Sequence, residues 1–242
     1  MILLIATNNF ERDAVNTVNW QSSWLDRMEQ VASMGSKRVM LTLSKMSNTK
    51  FEIKSNKAKL CSLKEVPTLI QSPNATDMYV SVHVGLNGRL KGKSIIALPW
   101  DSAENLDKRL WSPYSVSPNF LSEMSYTGIK ELGKLITASY ITGLEEYTRS
   151  VMMHSVPDLY VSLANTLLEG LVYEYSNKEK FLVSLISKFG NSEYNIEGTI
   201  IVFLVSSSVQ ILIQDKSKLH KKQLKLLKVV SPEECDNHNH IN

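Results

Sequence analysis

At 242 residues, 43% hydrophobic and 21% charged, the chain has the composition of an ordinary globular protein with enough material for a substantial core, which excludes disordered and fibrous classes. Its net charge of +3 comes mostly from six lysines between Lys216 and Lys228, too little for a general nucleic-acid field. Cys61 and Cys235 lie far apart, with neither disulfide nor metal spacing, and the opening run Met1 to Ala6 is too short for a membrane span; a cytoplasmic protein without a transmembrane segment is expected.

From Trp24 to about Met46, the residues Leu25, Met28, Val31, Met34, Val39, Leu41 and Leu43 fall at helical spacing, so a helix with one broad buried face is expected. Residues Lys50 to Asn56 alternate as a short strand, and Leu60 to Ile70, with Pro67 inside, reads as a connection gripping the core lightly. Tyr79 to Val84 and Ser94 to Leu98 flank the turn-prone Leu86, Asn87 and Gly88, a hairpin pattern. The serine-rich stretch Ser102 to Phe120, with Pro113 and Pro118, reads as a joint. Helical periodicity returns in Ile129, Leu132, Leu135, Ile136, Tyr140, Ile141 and Leu144. Val151 to Val156 is a strand candidate ended by Pro157, Leu159 to Tyr175 reads as a second apolar helix, and Phe181 to Ile186 with Ile200 to Val205 as a second hairpin. A basic amphipathic helix is expected over Lys216 to Val230, followed by a polar end.

Gly88 to Ser94 reads GRLKGKS, close to a phosphate-binding loop. It has three residues between its first glycine and the Gly-Lys-Ser where four are required, and a strand-like run follows where a helix should start, so a basic hairpin turn is expected. His83 and His154 fall in strand patterns and read as packed or exposed strand residues; His238 and His240 lie without partners in the polar end.

The order helix, strand, connection, hairpin occurs twice, about one hundred residues apart. Asp26, Gln30, Ser33 and Asn56 in the first copy have the spacing of Thr127, Glu131, Lys134 and Pro157 in the second, at a constant offset of 101. That period is far too long for a solenoid, so the reading is duplication within one domain, with two half-sheets sharing a core. The expected division is a 1–23 extension, a 24–214 domain of two halves (about 24–100 and 124–214), and a 215–242 basic tail. The fold class is α+β, a pseudo-two-fold antiparallel sheet covered by long helices.

Glu131 onward (ELGKLITASYITGL) and Ser155 onward (SVPDLYVSLANTLLE) resemble the second active-site helix and following segment of the CheC, CheX and FliY family of chemotaxis phosphatases. Gln30 onward (QVASMGSKRVMLTLS) and the run from Phe51 are similar to that family's first helix, strand and connection, and the likeness spans about residues 26 to 205. The family motif is Asp/Ser-x-x-x-Glu-x-x-Asn with a proline further on. The resemblance implies hydrolysis of the aspartyl phosphate on the response regulator CheY, with the glutamate pairing a regulator lysine and the asparagine orienting water. Magnesium would come from the regulator, so no cofactor is expected on this chain. CheY is the implied partner and the receptor deamidase CheD a further one.

The match is incomplete. Glu131 and Pro157 fit and Thr127 stands in for Ser, but the asparagine position is Lys134; in the first copy Asp26 fits, while Gln30, Ser33 and Asn56 hold the glutamate, asparagine and proline positions. Sliding the first motif by one residue would recruit Glu29, with Ala32 at the asparagine position. Lysine has three donors and no acceptor, so it cannot orient a water as an amide does. The resemblance therefore implies a CheC-type CheY-binding protein with weak or lost phosphatase activity. The alternatives are an active CheY-phosphate phosphatase and a motor-switch or CheD-binding adaptor.

Overall fold

A computed structural model describes residues 3–70, 72–111, 121–206 and 208–209, with side chains from Leu25 onward. In chain order the elements are helix α1 (Leu3–Ser47), β1 (Glu52–Ser62), a 3-10 turn (Val66–Leu69), β2 (Met78–Gly88), β3 (Gly92–Pro99), α2 (Trp100–Trp111), α3 (Glu123–Thr148), β4 (Met152–His154), β5 (Asp158–Leu163), α4 (Glu169–Tyr175), β6 (Phe181–Asn191) and β7 (Ile196–Val205). The expected basic helix at 216–230, Pro113, Pro118, Cys235, His238 and His240 lie outside the described residues.

The seven strands form one antiparallel sheet in the order β1-β6-β7-β3-β2-β4, with β5 also paired to β2. This is the expected α+β architecture, and its topology exchanges strands between the halves. β1 from the first half pairs with β6 from the second, and β4–β5 from the second half pairs with β2 from the first. The registers are equivalent too: Lys57 stands opposite Ile186 as Asp158 stands opposite His83, and each outer strand steps its register once, between Ile53 and Ser55 in β1 and between β4 and β5.

Both faces of the sheet are covered. On one face α1 and α3 bury Val31, Val39 and Leu43 with Ile129, Leu132, Ile136 and Leu144 against Val80, Val82, Leu185 and Val202. On the other, Leu167, Leu168, Leu171 and Tyr175 pack with Val66, Cys61, Ile95 and Phe203. The two long helices run antiparallel and touch where they carry glycine. A Cβ on Gly143 would lie 2.9 Å from the Gly35 backbone, and one on Gly35 would lie 3.1 Å from the Tyr140 ring. Thr42 to Ser139 (3.2 Å) and the ion pair Arg38–Glu146 flank that crossing.

Several expectations are corrected. Leu159 to Tyr175 is not one helix: Leu159, Val161 and Leu163 follow the two-residue period of β5, held on β2, and only Glu169–Tyr175 is helical. The segment Leu60 to Ile70 does not grip the core lightly, because β1 continues through the buried Cys61, and Val66 and Ile70 are buried. The Lys50 to Asn56 strand is therefore longer and starts at Glu52, and α1 begins far ahead of Trp24, at Leu3. The joint placed at Ser102 to Phe120 is helical through Trp111, with Ala103 and Leu106 buried. The first hairpin turns after Gly88, not across Leu86 to Gly88.

Gly88 takes a φ of +124°, a region side chains rarely adopt, and a Cβ on Gly92 would collide with the Phe203 carbonyl. These glycines serve a turn and a close strand approach, with β3 following as a strand, as the spacing of Gly88 to Ser94 led us to expect. His83 is a packed strand residue: its ring nitrogen lies 3.1 Å from Ser81 Oγ and its ring meets Tyr160 edge-on. Burial, aided by the nearby Lys93 ammonium, lowers its pKa from 6.5 to about 4 against the opposing carboxylates of Asp158 and Glu174.

Two outcomes follow. Gly143→Val forces a branched side chain into the helix crossing, where the neighbour is backbone and cannot swing aside; overpacking should cost about 2 kcal/mol, lowering the thermal midpoint by roughly 4–8 °C in calorimetry. His83 stays neutral on folding, so the unfolded chain binds the extra proton between pH 6.5 and about 4. Its contribution is fully present above pH 6.5 and declines as pH falls, by about 3 kcal/mol once pH is below the folded value. Urea unfolding midpoints of His83→Gln should therefore fall less steeply across that window than those of the wild type.

Candidate functional site

The second copy of the motif is placed by the start of α3. Ser122 caps the helix, its Oγ accepting from the Ser125 N–H while Ser125 Oγ accepts from the Ser122 N–H, both at 3.1 Å. Thr127, Glu131 and Lys134 then fall four and three residues apart on one face of the helix. Thr127 is exposed and turns its hydroxyl back to donate to the Glu123 carbonyl at 3.0 Å. Glu131 and Lys134 form an ion pair of 3.5 Å, with side chains 61% and 44% exposed. An open pair of this kind contributes at most a few tenths of a kcal/mol to stability and leaves both groups free to meet a partner.

What fixes Lys134 against the sheet is the residue before it. A Cβ on Gly133 would lie 2.5 Å from the Val82 side chain, so α3 is pressed onto β2 there. The equivalent residue in α1 is the fully buried Ala32. In both copies a small residue holds the helix down, leaving Ser33 and Lys134 half-buried at its flank. Pro157 is buried at the break between β4 and β5. Just before it, Ser155 donates its N–H to the Gly85 carbonyl and accepts the Gly85 N–H on Oγ, each at 2.9 Å, which carries the ladder across the interruption. On the other side of Thr127, Trp111 and Met124 line a shallow cleft, with the Trp111 indole packed over Gly128.

The first copy has the same frame with different groups. Asp26 and Gln30 are exposed on α1, and Ser33 is half-buried, its carbonyl accepting from Ser36 Oγ at 3.1 Å. Asn56 occupies the proline position inside an unbroken β1, with a buried Oδ1 that has no hydrogen-bond partner. Glu29 is not available as a substitute acid, because its carboxylate accepts the Ala58 N–H at 3.1 Å and closes part of the β1 edge. Because α1 and α3 run antiparallel, the two motif copies lie at opposite ends of the helix pair rather than in one site. Among the described residues no cluster of His, Cys, Asp or Glu is placed to hold a metal ion.

Met34 and Leu135 change status. The helical period assigns both to the core, yet they are 43% and 44% exposed, as is Leu41 at 63%. Each follows its asparagine position by one residue, so each copy carries an apolar side chain in solvent beside its polar set. Their matching offset of 101 was the available signal, and hydrophobicity alone concealed it.

No family model matches the chain. Over 152 residues it is 26% identical to the CheY-P phosphatase CheC of Bacillus subtilis, covering 61% of this chain and 71% of that protein. Its fold is similar to that of Thermotoga maritima FliY, with a TM-score of 0.60, 14% identity, and coverage of 80% of this chain and 96% of the other. The FliM middle domain of Vibrio alginolyticus superposes with a TM-score of 0.52 at 13% identity, covering 75% and 95% respectively. Among the described residues no helix is long and apolar enough to cross a membrane.

Proposed function

We propose that this chain is a member of the CheC, CheX and FliY family of chemotaxis proteins, and that it binds a CheY-type response regulator through the exposed face of α3 while hydrolysing its aspartyl phosphate weakly or not at all. The observation that carries the reading is the Glu131–Lys134 ion pair. Hydrolysis of an acyl phosphate requires water held in line with the phosphorus, and an amide does this because it both donates and accepts. At position 134 an ammonium replaces the amide, and it lies beside the solvent-exposed Glu131 carboxylate. Ser33 and Gln30 in the first copy supply neither an amide at the water position nor a carboxylate at the docking position. Losing such a contact costs on the order of 3 kcal/mol, about a hundredfold in rate. Glu131 remains open to solvent and keeps its docking chemistry.

The test follows decay of phosphorylated CheY from the same organism. Wild-type protein should leave its lifetime nearly unchanged, Lys134→Asn should shorten it by about tenfold or more, and Glu131→Ala should weaken binding measured by calorimetry. Fast decay with the wild type would replace this reading by that of an active phosphatase. No binding to CheY in either phosphorylation state would remove the regulator as partner.

A further inference from the structure

Two contacts fix β1 along α1 in the first copy. The Phe51 N–H donates to Ser44 Oγ at 3.0 Å, and the Ala58 N–H donates to the Glu29 carboxylate at 3.1 Å. The strand therefore runs back down the helix, and the lengths agree: from Glu29 to Ser44 the helix climbs about 22 Å, and from Ala58 to Phe51 the strand covers about 23 Å. One helical turn on from Glu29 is Ser33, and two strand residues back from Ala58 is Asn56, each a step of about 6 Å. Asn56 is thus level with the position at which the motif carboxamide is missing. It also faces the helix. Ala58 and Leu60 pack on the cluster that holds Val31, Ala32 and Leu43, and Asn56 shares their side of the strand by the two-residue period.

The Asn56 carboxamide oxygen is closed from solvent and bonded to no protein group, while the residue as a whole is half-buried. A buried acceptor in a stable fold is ordinarily paired with protein or water. No protein donor holds this one inward, and rotation about the last side-chain bond exchanges oxygen and nitrogen in nearly the same volume. Ser33 is smaller than asparagine by the carboxamide, the group that Asn56 brings from the strand. The second copy has no such replacement. Pro157 holds the equivalent position, buried and with no side-chain donor or acceptor, and Lys134 carries an ammonium.

We infer, on the reading that this chain docks on a CheY-type regulator, that Asn56 is the water-orienting carboxamide of the first copy, carried on β1 instead of α1. Its oxygen accepts a hydrogen bond from the attacking water and its nitrogen donates to a phosphoryl oxygen. The water oxygen forms the new bond to phosphorus, the bond from phosphorus to the aspartyl oxygen breaks with its electron pair left on the carboxylate, and the water proton leaves with the released phosphate. What the first copy lacks is the docking charge, because Gln30 is exposed on α1 where the motif has glutamate. It is one carboxylate short of a working set.

Gln30→Glu should accelerate decay of phosphorylated CheY about tenfold or more over wild type. Adding Asn56→Leu should return the rate to the wild-type value, while calorimetry still finds CheY bound with the dissociation constant of Gln30→Glu and the far-ultraviolet spectrum is unchanged. A second readout leaves Asn56 in place: in Gln30→Glu its side-chain amide signal in nuclear magnetic resonance should shift when CheY charged with beryllofluoride, a phosphoryl mimic, is added. In protein that binds CheY, decay no faster with Gln30→Glu than with wild type, acceleration that survives Asn56→Leu, or an Asn56 signal that does not move would each overturn the inference and leave regulator docking standing. Absence of CheY binding by both wild type and Gln30→Glu would overturn the two together.

Discussion

Each half of this molecule gives its outer strand to the other half's hairpin, and the remaining features depend on that exchange. β1 needs β6 to satisfy its ladder, and β4–β5 needs β2, so neither half has a complete sheet alone. A strand without its neighbour leaves a row of backbone groups unpaired, which is costly when its side chains are buried. The central β7–β3 pair joins the halves through apolar residues on both faces, among them Ile95, Ile201 and Val202. Residues of both halves therefore share the buried clusters on each face of the sheet.

The same exchange sets where the helices must go. α1 and α3 cover one face antiparallel, and Gly35 and Gly143 let their backbones approach closely enough for both to reach the sheet. Ala32 and Gly133 then bring each helix down onto the strands. The motif positions are consequently held on rigid secondary structure at opposite ends of the helix pair. The scaffold is preserved in both copies while the groups it presents have diverged: a solvent-facing ion pair in one, and in the other a carboxamide oxygen of Asn56 buried without a partner.

Much of this was legible in the residues. The alternation around Tyr79 to Leu98 and the 3.6-residue period over Ile129 to Leu144 gave hairpin and helix correctly, because each is reinforced by its own buried face. The constant offset of 101 placed the motif copies in equivalent positions. Leu159 to Tyr175 was misread because an apolar run fits either period; pairing with β2, a partner some eighty residues earlier, made its first part a strand. Met34 and Leu135 were misplaced because side-chain type reports a preference for burial, while exposure depends on which neighbours arrive.

By itself the sequence determined the duplicated order of elements, the α+β class and the identity of the groups at each motif position, since these rest on local periodicity and on which atoms a side chain carries. Only the tertiary structure decided that the halves exchange strands, that Glu29 accepts a strand N–H at the β1 edge, and that Lys134 pairs with Glu131 in solvent. Those outcomes depend on contacts between residues distant in the chain, whose energies exist only once the sheet has brought them together.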